Sequence, residues 1–201
     1  MTAETVRAGY DKVASAYAEA RDQMASLPHL ERLDAALGRR SAILDIGCGA
    51  GLPVDRWLIE AGHRVVGLDI SPAMLALARE NVPEAEYRLG DMSALAEESF
   101  EVDAIVCIYA LFHTERRLHR EILAKMRSFL RPSGLLLIST GLRDWTGTEM
   151  FFGAPMWWSH YDGPTYRGII RESGFEILSE DRHASDLPKT EWHPIYLARA
   201  L

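Results

Sequence analysis

A short apolar run that ends in three alternating glycines constrains this chain more than any other feature. Ala42–Ile46 reads as a buried strand, and Gly47-Cys-Gly49-Ala-Gly51 follows at once. Glycines at a strand end let the backbone turn sharply and approach a ligand closely. Val54, Trp57, Leu58 and Ala61 then form one helix face, closed by Gly62. A dinucleotide fingerprint reads G-x-G-x-x-G, and its third glycine would fall on Leu52. The spacing here is G-x-G-x-G with Pro53 behind, which suits a cofactor with no pyrophosphate to cradle. That count disfavours a nicotinamide oxidoreductase. Taken alone, the loop is also compatible with a plain strand-to-helix turn.

The same grammar recurs downstream. Arg64–Leu68 is a second strand with Asp69 at its end. Ser71 reads as an N-cap with Pro72 at the first helical position, and the helix runs to about Asn81. Glu86–Leu89 is a weak third strand, followed by Gly90-Asp91-Met92. Val102–Ile108 is a buried β-branched strand. Thr114 can cap a helix carrying Leu118, Ile122, Met126 and Phe129, and Pro132-Ser-Gly134 turns the chain into a fifth strand, Leu135–Ser139. Upstream, Val6, Tyr10, Val13 and Tyr17 share one face of a helix over roughly Thr5–Gln23. Leu30, Leu33 and Leu37 predict a second, stopped by Gly38. This alternation predicts an α/β fold, a parallel sheet with helices on both faces. Gly141–Asp162 reads as irregular and aromatic; a helix at about Pro164–Ser173 and strands at Phe175–Leu178 and Ile195–Ala198 follow, the last two suggesting an antiparallel edge hairpin.

Length and charge narrow the partners. The 201 residues suit one domain, divided as 1–40 helical lid, 41–140 cofactor-binding core, and 141–201 acceptor-pocket cover and edge hairpin. Net charge is −7 with no Lys/Arg run, so the duplex-binding proteins that need a basic face are disfavoured, and no nucleic-acid partner is expected. Cys48 and Cys107 sit in apolar surroundings without zinc spacing; they read as buried thiols in a reducing cytoplasm, with no metal. MTAETVRAGYDKV carries charges where a signal peptide needs an apolar run, and the longest such run, Ala104–Phe112, is too short for a bilayer span, so no membrane partner is expected. Oligomeric state stays open between monomer and homodimer. His29, His63, His119 and His183 read as surface residues.

In open α/β sheets ligands bind beyond the carboxyl ends of the strands. Asp69 in that place can accept hydrogen bonds from both hydroxyls of a ribose, and Asp91 ends the next strand. ILDIGCGAGLP, VVGLDIS and LGDM resemble the first three cofactor motifs of class I S-adenosylmethionine (SAM)-dependent methyltransferases, close to the small bacterial "methyltransferase domain 11/25" kind. FEVDAIVCIYALFHT and FLRPSGLLLIST resemble the family's fourth and fifth strands, so the resemblance covers about Tyr10 to Ala198. It implies a Rossmann-like, doubly wound, seven-stranded sheet, mostly parallel with the antiparallel edge hairpin, under N-terminal lid helices. It implies that Asp45 and the Gly47, Cys48, Gly49, Gly51 loop lie along the methionine part of SAM. Asp69 would bind the ribose and Ile70 pack on the adenine; Asp91 would take the adenine amino group beside Met92; Ile108 would approach the methionine moiety. Tyr10 and Tyr17 would close over the carboxylate and sulfonium, or simply pack as core, and Arg21 would touch the carboxylate.

The implied reaction is methyl transfer to a small-molecule O-, N- or C-nucleophile, leaving S-adenosylhomocysteine (SAH). Candidate bases are His113, after the fourth strand, and His160. Trp157, Trp158, Tyr161 and His193 are candidate acceptor-pocket residues, the aromatics able to form an apolar box, to hold a cation, or simply to cover the sheet edge as core. Exocyclic amino methylation of nucleic acid would place [DNS]-P-P-[YFW] where Ile108-Tyr-Ala-Leu stands; cytosine C5 methylation would need a Pro-Cys nucleophile, and arsenite methylation several thiolates. A SAM-binding partner or sensor without catalysis is the alternative from another class.

Overall fold

The computed structural model describes residues 2–20, 26–38, 40–96, 100–184 and 192–201. Helix α1 spans Thr2–Ala20 and α2 Leu27–Ala36; the expected extension of α1 to Gln23, and Arg21 with it, lies outside the described residues. The core follows as β1 Ala42–Ile46, α3 Val54–Glu60, β2 Arg64–Asp69, α4 Pro72–Asn81, β3 Glu86–Leu89, β4 Val102–Cys107, α5 His119–Phe129 and β5 Leu130–Ser139. The remainder comprises β6 Trp145–Phe151, β7 Ala154–His160, α6 Gly163–Glu172, β8 Phe175–Ala184 and β9 Trp192–Ala200.

Seven strands form one sheet in the order β3-β2-β1-β4-β5-β9-β8. The first five are parallel, and β9 runs antiparallel to both β5 and β8. The order reverses between β1 and β4, which is where such sheets open a ligand crevice. Side chains alternate across the sheet. Ile43, Val65, Ala104, Val106 and Leu137 pack with Leu30, Leu33, Val54 and Leu58 of α2 and α3. Leu44, Leu68, Ile105, Leu136 and Ile138 pack with Ile122, Met126, Phe129, Tyr166 and Ile170 of α5 and α6. Burial on both faces is why these strands read as continuous apolar runs.

Three expectations are corrected. Gly141–Asp162 is not irregular: β6 and β7 make a separate antiparallel hairpin, paired from Trp145↔His160 to Phe151↔Ala154. Its two-residue turn, Phe152-Gly153, has φ of +49° and +83° at both positions, the pattern that matches strand twist. Thr114 does not cap α5; its hydroxyl donates to the Leu111 carbonyl, and a 3-10 turn, Arg116–Leu118, comes before the helix. Leu130–Ser139 is one strand, and the Pro132-Ser-Gly134 turn survives inside it as an irregularity between Val102↔Leu130 and Ala104↔Leu135, with Ser133 at φ +62°. The expected cap at Ser71 is present, its side chain accepting from the Met74 amide.

Helix α1 ties the hairpin to the sheet. Asp11 Oδ1 accepts from the Ser71 hydroxyl (2.6 Å) and the Ala73 amide (3.3 Å), at the N-terminus of α4. Lys12 Nζ donates to the Gly153 carbonyl (3.0 Å) at the hairpin turn. Gly9 lets the two backbones approach, since a Cβ there would stand 2.9 Å from Met156 Cε and 3.0 Å from the Pro155 carbonyl oxygen. No helix among the described residues is long and apolar enough to cross a membrane.

Candidate active site

The carboxyl ends of β1, β2, β3 and β4 and the inner face of α1 enclose a cleft of about 1100 Å³, part of it open to solvent. Asp45, Gly47, Cys48, Gly49, Asp69, Ile70, Asp91, Met92 and Ile108 line it from below, and Tyr10 and Tyr17 from the lid. Gly51 is not in the lining; it is buried under the loop, where a Cβ would stand 2.8 Å from the Tyr87 hydroxyl.

Asp69 is the pivot of the site. It is 9% exposed, with Gly49 N–H donating to Oδ2 (2.9 Å) and Ser71 N–H to Oδ1 (2.8 Å). One donor comes from the glycine loop and the other from the N-cap of α4, so the carboxylate is oriented from both sides. Burial raises its pKa, and the backbone donors oppose that rise. The carboxylate's remaining lone pairs are open to ligand hydroxyls. Asp91 caps a 3-10 turn, Met92–Ala94, taking Ser93 N–H (2.8 Å) and Ser93 O–H (2.7 Å) on Oδ1. That orients Oδ2 as an acceptor for an amino group. Gly49, at φ +56°, borders open space: a Cβ there would meet no atom within 4 Å. The donor set and the open glycine edge therefore fit a ribose, an adenine amino group and a chain laid against backbone.

Asp55 lies beneath the loop, fully buried on the first turn of α3, with neither carboxyl oxygen in hydrogen-bonding geometry. Burial first, and Asp45 second, push its acid well above the usual carboxylate range, so the folded protein keeps it protonated. The unfolded chain releases that proton above about pH 4. Stability therefore falls as pH rises from there toward the folded value. Asp55→Asn removes this titration. Its melting temperature is expected to exceed wild type by at least about 3 °C at pH 8, at about 2–4 °C per kcal/mol for this size, with a smaller gain at pH 5. Calorimetry at the two pH values checks it, and a variant less stable than wild type at pH 8 contradicts it.

His113 is 8% exposed and both ring nitrogens are engaged: Nδ1 with the Trp157 carbonyl oxygen (2.8 Å) and Nε2 with the Tyr10 hydroxyl (2.8 Å). Burial chiefly, with His193 and His160 in the same direction, brings its pKa down to about 4. The ring, which itself lines the cleft, is neutral and links lid, sheet and hairpin. The other acceptor-side expectations lie outside the cleft lining. Trp158 packs among His113, Phe151 and Trp145 in the hairpin. Trp157 offers its carbonyl to His113. Tyr161 stands against Tyr166 and His119 with Arg116 over its ring. His160 Nδ1 donates to the Arg143 carbonyl (2.5 Å), and His193 stacks on Phe112 with Nδ1 toward the Thr140 carbonyl (3.2 Å). No box of Trp157, Trp158 and Tyr161 forms. The cleft takes Val6, Ala18, Met74, Tyr109, Thr114, Glu115 and Leu118 instead.

Three supposed surface histidines are inside. His63 Nε2 pairs with Asp34 Oδ1 (2.9 Å), His119 stacks on Tyr166 and meets its hydroxyl through Nδ1 (2.9 Å), and His29 faces Asp181. Their neighbours in sequence are polar, and only tertiary packing turns the rings inward. Cys48 and Cys107 are buried free thiols.

The site thus combines a Rossmann-like sheet, carboxylates at the ends of the second and third strands and a G-x-G-x-G loop at the end of the first. Residues 43–134 match the methyltransferase domain family. The chain is 31% identical over 157 residues to the malonyl-[acyl-carrier protein] O-methyltransferase of Halalkalibacterium halodurans, covering 75% of this chain and 52% of that protein. It is 30% identical over 186 residues to the trans-aconitate 2-methyltransferase of Azoarcus sp., covering 89% and 61%. The chain thus spans little more than half the length of these curated relatives. The crystal structure of Burkholderia thailandensis 1,6-didemethyltoxoflavin-N1-methyltransferase, with bound 1,6-didemethyltoxoflavin and SAH, superposes with a TM-score of 0.76 at 22% identity, over 96% of this chain and 86% of that one. Over residues 43–134 the chain thus resembles a methyltransferase domain, and the solved neighbours share its Rossmann-like fold.

Proposed function

We propose that this chain transfers the methyl group of SAM to a small-molecule acceptor held between α1 and the ends of β1 and β4. The observation that carries the reading is Asp69, held by Gly49 N–H and Ser71 N–H at the floor of the cleft. In this reading Asp69 takes the ribose hydroxyls, and Asp91 takes the adenine amino group with Ile70 and Met92 against the ring. Asp45 and the Gly47–Gly51 loop flank the methionine chain, and Ile108, Tyr10 and Tyr17 enclose its reactive end. Bound there, SAM supplies a methyl group on a sulfonium for in-line displacement. The chain's own residues orient the two reactants and exclude water. Val6, Ala18 and Leu118 give the cleft apolar walls, and holding reactants in line is worth of order 7–11 kcal/mol in favourable cases.

Calorimetric titration with SAH and NADH tests the cofactor. SAH is expected to bind and NADH not; NADH binding without SAH binding sinks the reading. Transfer of label from methyl-labelled SAM across amine, phenol, thiol and carboxylate probes then tests catalysis. SAH binding with no transfer to any probe favours a binding protein without catalysis.

A further inference from the structure

The cleft carries information about the acceptor that neither the glycine loop nor the relatives' names contain. The Trp157 carbonyl can only accept a hydrogen bond, so the proton of the His113 ring sits on Nδ1. Buried among Phe112, Trp158 and Tyr10, the ring is neutral. Its Nε2 can then only accept, so the Tyr10 hydroxyl, 2.8 Å away, donates to it. The tyrosine's proton is committed to the histidine. What Tyr10 offers a molecule in the cleft is an acceptor oxygen, not a donor. A second observation points the same way. Among the described residues that line the cleft, Asp45, Asp69, Asp91 and Glu115 carry carboxyl groups, Glu115 paired with Arg117, and none is Lys or Arg.

We infer that the methyl acceptor is a neutral or cationic molecule that donates its own N–H or O–H to Tyr10 Oη, and that His113 is the positioning residue fixing the direction of that hydrogen bond. The inference rests on the methyltransferase reading and deepens it. A neutral nitrogen or hydroxyl donating to Tyr10 keeps its lone pair for the displacement. Its bond to the methyl carbon forms as the carbon–sulfur bond breaks with its pair going to sulfur, and the methylated acceptor then loses its proton to water at the solvent-open side of the cleft. A polycarboxylate brings no proton, meets the lone pairs of the phenol oxygen, and finds no Lys or Arg among the described lining residues to offset its desolvation. His113 acts on the acceptor through Tyr10. A ring turned the other way, or a cation, would leave Tyr10 as a donor and invert the preference.

The test uses the full chain loaded with SAH and two probes. Tyramine brings N–H and O–H donors and a cation, while trans-aconitate brings three carboxylates. Calorimetry is expected to give tyramine at least a tenfold tighter affinity, roughly the worth of one hydrogen bond made rather than left unmade. His113→Gln, which keeps an acceptor oxygen for Tyr10, retains the preference, and His113→Leu loses it. Independently of how that variant folds, the long-range ¹H–¹⁵N spectrum of wild-type His113 is expected to show the neutral Nδ1–H tautomer from about pH 6 to 8, its Nε2 resonance shifting in Tyr10→Phe. An Nε2–H tautomer, an imidazolium in that range, a folded His113→Leu that keeps the preference, or no preference for tyramine, whether or not either probe binds, overturns the inference. Failure of SAH itself to bind sinks the methyltransferase reading, whereas SAH binding with trans-aconitate favoured sinks this inference alone.

Discussion

Asp69→Ala is expected to lower the affinity for SAH by at least about 100-fold. The carboxylate is positioned to take two ligand hydroxyls, and hydrogen bonds to a charged group are worth about 1.5–3 kcal/mol each. Losing both removes about 3–6 kcal/mol, or two to four powers of ten. The substitution also removes the acceptor of Gly49 N–H and Ser71 N–H, so the glycine loop and the α4 cap lose their common anchor. Both effects act in one direction. Glu176→Ala is the control: it breaks an exposed pair with Arg199 at the end of the sheet opposite the cleft, and surface pairs of that kind contribute little. Calorimetry at a temperature where both variants are folded reads the difference. An Asp69→Ala affinity within about fivefold of wild type removes the carboxylate from the cofactor site, the two bonds at stake being worth far more.

Asp69 and Asp91 were legible because a strand end is a local feature. Apolar runs mark the strands, and the polar residue just past each one must face the crevice when the sheet is parallel. The Ser71-Pro72 cap is likewise written within three residues. What escaped the sequence depends on partners far away in the chain. Tyr10 and His113 are 103 positions apart, and nothing near either announces the other; helical period placed Tyr10 on an inward face and could go no further. The β6–β7 hairpin did have a local signature, a two-residue turn ending in Gly153 between strands with buried Ala154 and Met156. Gly147 and Pro155 inside it are residues that weaken a strand. In a hairpin outside the main sheet they are tolerated, because no third strand needs the missing donor. The aromatic residues there read as pocket walls or as core. They back the site from behind, Phe151 and Phe152 against the lid tyrosines and Trp158 against His113, and the hairpin's polar contribution is the Trp157 backbone carbonyl, which no side-chain pattern encodes.

Gly47→Ala is expected to lower the melting temperature by about 4–20 °C, the largest stability effect among single-methyl changes at the loop. Two costs add. Gly47 has φ +80°, and an L-residue in the left-handed region costs about 1–2 kcal/mol. The new Cβ would also lie 2.2 Å from the Ala110 Cβ, well inside contact distance. Neither backbone yields easily. Gly47 N–H donates to the Leu68 carbonyl at 2.7 Å, Tyr109 N–H to Ser139 Oγ at 2.6 Å, and the Ala110 carbonyl accepts from His113 N–H at 3.0 Å. Overpacking of this kind costs about 1–3 kcal/mol, so the sum is about 2–5 kcal/mol at about 2–4 °C each. The two costs can be separated. Adding Ala110→Gly removes the colliding methyl and leaves the Ala110 Cα at an ordinary 3.6 Å, so the double variant is expected to recover the overpacking share but not the φ share. Gly168→Ala, inside α6 with open space around its Cβ, is expected to do the opposite and stabilise by about 0.5–1 kcal/mol. If Gly47→Ala melts within about 2 °C of wild type, the contact between the β1 loop and the end of β4 is looser than drawn, and the close approach that forms the switch-point floor of the cleft goes with it.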